Sequence, residues 1–181
     1  SLDIGPWPFF LDHSGTLGVT VAYVNSVTGN DGNGLATGIV SDAAARARPY
    51  HSWQGAMNGI QTFNTTNLGR GNVDGGIMYL LSGNQNAGST SAQTSSGCNV
   101  VIMPASGVSA TSVPVTGFSG RYLPGFTKLS GVVHTPTTIA GQTFYFGNAG
   151  GMWQFKNCAF SGVDPTNNTA LMSTDGYVIW D

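Results

Sequence analysis

The sequence predicts an all-β solenoid of short stacked strands, with one α-helix capping its N-terminal end. Three observations support this fold class. Only 8% of the 181 residues are charged, against roughly 25% in ordinary soluble domains. Glycine is abundant, at 27 residues, and strong helix formers are scarce, which argues against a largely helical fold. From residue 75 onward, short apolar segments recur between turns without a helical period.

The chain divides into a lead-in and one main domain. Residues 1–18 carry two prolines and a run of large apolar side chains, so we expect an extended segment that forms an interface through Trp7, Phe9 and Phe10. Residues 19–181 form the main domain, with a capping region at 19–74 and coils at 75–181. The chain ends on an apolar strand that includes Trp180, a further expected interface residue. An open strand edge must be covered, so we expect a fragment, a processed chain or an end covered by a partner.

The capping region should contain one strand and one clear helix. Residues 19–24 alternate in the manner of a strand, residues 29–34 are a turn cluster, and residues 41–46 fit one helical turn. A longer helix should begin after Ser52, its expected N-cap. Its apolar residues recur at helical spacing and predict one buried stripe made of Trp53, Ala56, Met57, Ile60 and Phe63.

The region after residue 75 should consist of short strands and loops. The expected strands span residues 77–81, 100–103, 132–134, 143–146, 153–160 and 177–180. Their spacing is irregular, which fits stacked coils with loops of unequal length better than an exact repeat. Residues 85–97 and 108–124 should be loops that project from the body.

Four segments together resemble a known superfamily. They read AYVNSVTGNDGNG at 22–34, PYHSWQGAMNGI at 49–60, GGIMYLLSG at 75–83 and WQFKNCAFSG at 153–162. This succession resembles the right-handed parallel β-helix proteins of the pectate-lyase-like superfamily, which include bacteriophage tailspikes. The resemblance implies a right-handed parallel β-helix. Because enzymes, adhesins and virion proteins share these motifs, the resemblance does not choose among functions.

Candidate catalytic and metal-binding residues are few. A glycosidase needs two carboxyl groups at controlled separation, and after residue 75 the weak candidates are Asp164 and Asp175, both in ordinary turn pairs. We therefore expect no catalytic residue within this chain. Asp31 and Asp74 lie in Asn-rich turns and are weak candidates for Ca²⁺ ligands. Otherwise we expect no cofactor.

Composition narrows the partners. A net charge of −2 gives no basic field for nucleic acid, and no apolar run is long enough to cross a membrane. The low charge and the covered ends favour a virion protein that is structural or binds a receptor or glycan. The resemblance to tailspikes implies a homotrimer or assembly with other virion proteins, with a surface polysaccharide as a further partner. A secreted polysaccharide lyase or glycoside hydrolase and a bacterial surface adhesin are the alternatives. The expected location is virion or extracellular.

Overall fold

The computed structural model of the protein describes residues 19–38, 42–69, 75–86, 100–117, 126–130, 133–134, 152–156, 158–160 and 177–180. Two helices lie in this part of the chain, α1 (Asp42–Ala47) and α2 (Trp53–Asn67). The strands are β1 (Thr20–Asn25), β2 (Thr37–Gly38), β3 (Gly76–Ser82), β4 (Gln85–Asn86), β5 (Val100–Pro104), β6 (Val115–Gly117), β7 (Phe126–Ser130), β8 (Val133–His134), β9 (Met152–Lys156), β10 (Ala159–Phe160) and β11 (Tyr177–Trp180). A short 3-10 helix spans Ala110–Ser112.

The described strands form two open sheets. The larger sheet has the order β11-β9-β7-β5-β3-β1-β2, and the smaller has the order β10-β8-β6-β4. The pairs are parallel except for β1 with β2, which are antiparallel and join Thr20 to Gly38 and Val21 to Thr37. From β3 onward, successive strands alternate between the two sheets.

The predicted fold class, an all-β right-handed parallel β-helix with a capping helix, is wrong. The described residues form a mixed arrangement of helices and strands in which neither sheet closes, one edge pair is antiparallel, and both helices pack against β1. The physical reason is that short apolar runs bounded by turns are typical of any buried parallel strand. Periodicity therefore cannot distinguish a closed solenoid from an open sheet covered by helices.

Several predicted elements are nevertheless present. The strand expected at 19–24 is β1, and the longer helix begins after Ser52, whose hydroxyl accepts a hydrogen bond from the Gly55 N–H. The segments at 77–81, 100–103, 132–134, 153–160 and 177–180 all contain strands. Two predicted loops are partly wrong, because residues 85–86 form β4 and residues 115–117 form β6. Residues 143–146 and the lead-in at 1–18 lie outside the described residues.

Helix α2 packs on one face of the larger sheet and forms the inner core. Its buried stripe comprises Trp53, Ala56, Met57 and Ile60, with Phe63 partly buried beside them. The stripe shares a buried cluster with apolar side chains of the two sheets, namely Ala22, Val24, Met78, Leu80, Val100, Ile102 and Val115, and with Val113 just before β6. The prediction from the apolar spacing of α2, that one helix face is buried, is therefore confirmed.

Two buried polar side chains hold α2 in place. The Thr20 hydroxyl on β1 donates to Oδ1 of Asn64, and the side-chain amide of Asn64 donates to the backbone carbonyl of Gly75 at 3.0 Å. A polar group buried without a partner is costly, so these bonds fix how the last turns of α2 meet β1 and the start of β3.

The opposite face of the larger sheet carries a second core, which packs under α1. It contains Val19, Val21, Tyr23, Ala45, Ile77, Val101 and Ala105. The helices in the described ranges are too short or too polar to cross a membrane.

Candidate functional site

A surface groove lies between the loop after β1 and the exposed face of α2. Its volume is about 630 Å³, within the range of about 300–1,000 Å³ typical of small-ligand sites. We call it the α2 groove. Its lining residues include Asp31 from the loop, Thr37 from β2, and Gln54, Asn58 and Thr62 from α2.

Asparagine side chains shape the loop side of the α2 groove. Asn25, at the end of β1, accepts from the N–H groups of Val27 and Thr28, each at 3.0 Å, and Asn30 accepts from the Gly32 N–H at 2.8 Å. Such side-chain-to-backbone bonds are the reason that Asn and Gly clusters form turns. The loop is thus a defined turn sequence.

Asp31 fastens this loop to the start of α2. One carboxylate oxygen accepts from the N–H groups of His51 and Ser52, at 2.8 and 2.9 Å, and the other accepts from the Ser52 hydroxyl at 2.6 Å. The same hydroxyl accepts from the Gly55 N–H at 3.0 Å. A carboxylate is favourable here because the first N–H groups of a helix have no partner within the helix.

Tyr50 forms the inner end of the α2 groove and needs glycine on two sides. A Cβ at Gly34 would collide with the Tyr50 ring, and a Cβ at Gly59 would collide with its hydroxyl. Burial raises the pKa of the Tyr50 phenol, while a hydrogen bond from the Ala36 backbone and the nearby Arg48 charge oppose that rise. The two glycines therefore let the loop and α2 approach each other across the Tyr50 ring.

The helix side of the α2 groove offers amides and hydroxyls. Gln54, Asn58 and Thr62 are four residues apart and so share one face of α2. The Gln54 side-chain amide donates to Oδ1 of Asn58 at 2.8 Å. Asn67 and the partly buried Phe63 extend this wall. The wall can exchange hydrogen bonds with a polar ligand and offers one apolar surface.

A second cluster lies on the opposite face of the larger sheet. The rings of Tyr23 and Tyr79 stack with centroids 5.1 Å apart, Arg46 lies 5.8 Å from the Tyr23 ring centre, and the Tyr23 hydroxyl donates to Asp42. Burial, followed by the Asp42 hydrogen bond and charge, raises the pKa of Tyr23. Burial and the Asp42 charge also raise the pKa of Tyr79. Because Asp42 and Arg46 both belong to α1, the cluster anchors α1 to the sheet.

The residues predicted from sequence are distributed unevenly. Asp31 lies in the α2 groove, but its oxygens serve as acceptors for the start of α2. Among the residues described, no group of three or more His, Cys, Asp or Glu side chains could hold a metal ion. Asp74, Asp164 and Asp175 lie outside the described residues, so their candidate roles stay predictions.

The predicted interface residues are also mostly outside the described part of the chain. Trp7, Phe9 and Phe10 are not among the described residues. The backbone of Trp180 lies in β11, in register with Phe155 of β9. Trp53, by contrast, is 1% exposed, which confirms that it belongs to the buried stripe of α2.

Sequence reasoning missed the polar wall of α2. From the sequence, no role is assigned to Gln54, Asn58 and Thr62. Their spacing of four, with amide and hydroxyl groups and no charge, was a usable signal. The groove itself could not be predicted, because its other wall is a loop whose position depends on Asp31 and Tyr50.

No family model matches the chain, and neither a curated protein nor a solved structure is similar to it. The resemblance to the β-helix superfamily therefore stays a prediction.

Proposed function

We propose that this protein is a structural, glycan-binding component of a larger assembly, such as a virion, and that it holds sugar in the α2 groove without cleaving it. The observation that carries the proposal is the polar wall of α2, where Gln54, Asn58 and Thr62 face a groove of about 630 Å³. Sugars expose many hydroxyl groups that both donate and accept, and side-chain amides also do both.

The chemistry of the lining favours binding over cleavage. Hydrolysis of a glycosidic bond uses two carboxyl groups, one of which gives up a proton. Asp31 is the carboxylate among the described lining residues, and three hydrogen bonds from residues 51–52 already engage its oxygens. Its geometry suits a capping role in the fold.

Binding to a panel of surface-type oligosaccharides tests the proposal. We expect saturation-transfer NMR and calorimetry to detect at least one ligand for the full chain. Asn58→Ala should lower the affinity for that ligand about 5- to 10-fold, which is equivalent to the loss of one hydrogen bond of about 1 kcal/mol. Thr66→Ala, at an exposed position of α2 outside the groove lining, is the matched control.

Two results would contradict the proposal. Equal weakening by Asn58→Ala and Thr66→Ala would place the ligand elsewhere on the chain. Release of new reducing ends or unsaturated products during incubation would instead favour the secreted lyase or hydrolase alternative.

A further inference from the structure

We infer that the α2 groove selects neutral glycans over acidic ones, an inference that rests on the proposed function. The reason is its charge. Among the described lining residues, the Asp31 carboxylate is the charged group at neutral pH, and the rest are glycines, apolar side chains, hydroxyls and amides. The described part of the lining therefore presents one negative charge to a ligand and no lysine, arginine or histidine.

The nearby arginine side chains are not among the described lining residues. Arg48 donates from Nε to the Asn33 carbonyl at 3.0 Å, and it is not a lining residue. Arg46 lies over Tyr23 and donates to the Ser106 carbonyl at 3.4 Å, on the other face of the sheet. A uronic acid or sialic acid bound beside Asp31 would therefore lose water and meet a like charge, with no cationic side chain among the described lining residues to balance it.

The uncharged helix wall of the α2 groove suits a neutral sugar. Asn58 and Thr62 can each donate and accept, so hydroxyl or acetamido groups of a sugar can bond to them without bringing a net charge into the groove. A neutral chain also avoids the like-charge cost at Asp31. Selection in this groove would thus come from rejecting the wrong ligand as well as from binding the right one.

The experiment compares two matched oligosaccharides of equal length, one a neutral hexose polymer and the other the corresponding uronic acid polymer. Calorimetric titration of the full chain at low salt should give at least ~10-fold tighter binding of the neutral form. The difference in affinity between the two polymers should decrease as salt is added, because salt screens charges near the surface.

Three substitutions test whether the selectivity arises in the α2 groove. Asn58→Lys places a cation on the groove wall and should raise affinity for the acidic polymer about tenfold, whereas Thr66→Lys, outside the lining, should not. Asp31→Asn, whose folding is checked by circular dichroism, should reduce the difference in affinity between the neutral and the acidic polymer.

The possible outcomes distinguish a failure of the proposed selectivity from a failure of the proposed glycan binding. If both polymers bind equally, or the acidic one binds more tightly, the selectivity is wrong while glycan binding stands. If neither polymer nor any other glycan binds, the proposed function fails, and the selectivity fails with it.

Discussion

The indole N–H of Trp53 donates to the side-chain oxygen of Gln85 at 3.1 Å, and both side chains are buried. Trp53 is the first residue of α2, and Gln85 begins β4 in the smaller sheet. The Gln85 amide also donates to the carbonyls of Ser82 and Gly83, each at 2.9 Å. One side chain thus connects α2 to the bend between the two sheets.

Replacing Gln85 should destabilise the protein. Gln85→Met keeps the approximate volume but removes the acceptor of the Trp53 indole and the donor to two carbonyls. We expect a loss of about 1–3 kcal/mol in the free energy of unfolding, the usual cost of a buried polar group that loses its partner. Urea unfolding of the variant against the parent measures it. A change no larger than that of an exposed substitution, such as Thr66→Ala, would show that the bond is dispensable.

Truncating the stripe of α2 should have a larger effect. Ile60 is 0% and Met57 is 4% exposed, so Ile60→Ala or Met57→Ala should cost about 2–5 kcal/mol, as is usual for removing a packed aliphatic side chain. Thermal and urea unfolding give the value. Thr66→Ala, on the exposed side of the same helix, should change stability by less than about 0.5 kcal/mol.

Gly59 should not tolerate a side chain even though alanine favours helices. The added Cβ of Gly59→Ala would collide with the Tyr50 hydroxyl, so we expect a loss of about 1–3 kcal/mol, typical of overpacking. Combining it with Tyr50→Phe should recover part of that loss, because the nearest colliding atom is removed. Gly38→Ala, where a Cβ meets open space, is the control. If Gly59→Ala stabilises the protein, the close approach of Tyr50 and α2 is wrong.

Stability should fall at alkaline pH because of Tyr23. Burial and the Asp42 carboxylate raise its folded-state pKa above the ordinary value of about 10. Above about pH 10 the unfolded chain therefore loses this proton while the folded chain keeps it. The stabilising contribution is complete below that pH and is lost as the pH rises toward the folded pKa. Unfolding measured between about pH 8 and 11.5 should show a shallower decline for Tyr23→Phe than for the parent. Equal slopes would contradict the assignment.

Association of the chain remains a prediction from its sequence. The small number of charged side chains leaves little repulsion between copies, and the resemblance to tailspikes implies that the assembly is a homotrimer. Light scattering should then give three times the 18.7 kDa chain mass. A stable monomer at micromolar concentration would contradict this and favour the secreted-enzyme alternative.

Local structure was more predictable than architecture. Helix α2 and its Ser52 cap followed from residue spacing, because a helical period and a hydroxyl before it act within a few residues. β2 was not predicted, because two residues hold too short a pattern to recognise. β4 was missed for a different reason: Gln85 begins a polar, Ser/Thr-rich segment, and its burial depends on Trp53 far away in the sequence.

The candidate site shows the same division. Asp31 was identified as a chemically interesting side chain from its turn sequence, but its role depends on the approach of residues 51–52. The α2 groove also depends on that approach. A contact between a loop and a helix twenty residues apart leaves no periodic signal, so its chemistry could be known only after folding.

The edge of β1 opposite β3 is largely occupied by its own chain. Near its start β1 pairs with β2, and near its end Tyr50 donates to the Tyr23 carbonyl and accepts from the Asn25 N–H. Strand-to-strand recruitment needs a row of exposed backbone groups, and this row is filled. A strand of another molecule therefore could not extend the larger sheet by pairing beside β1.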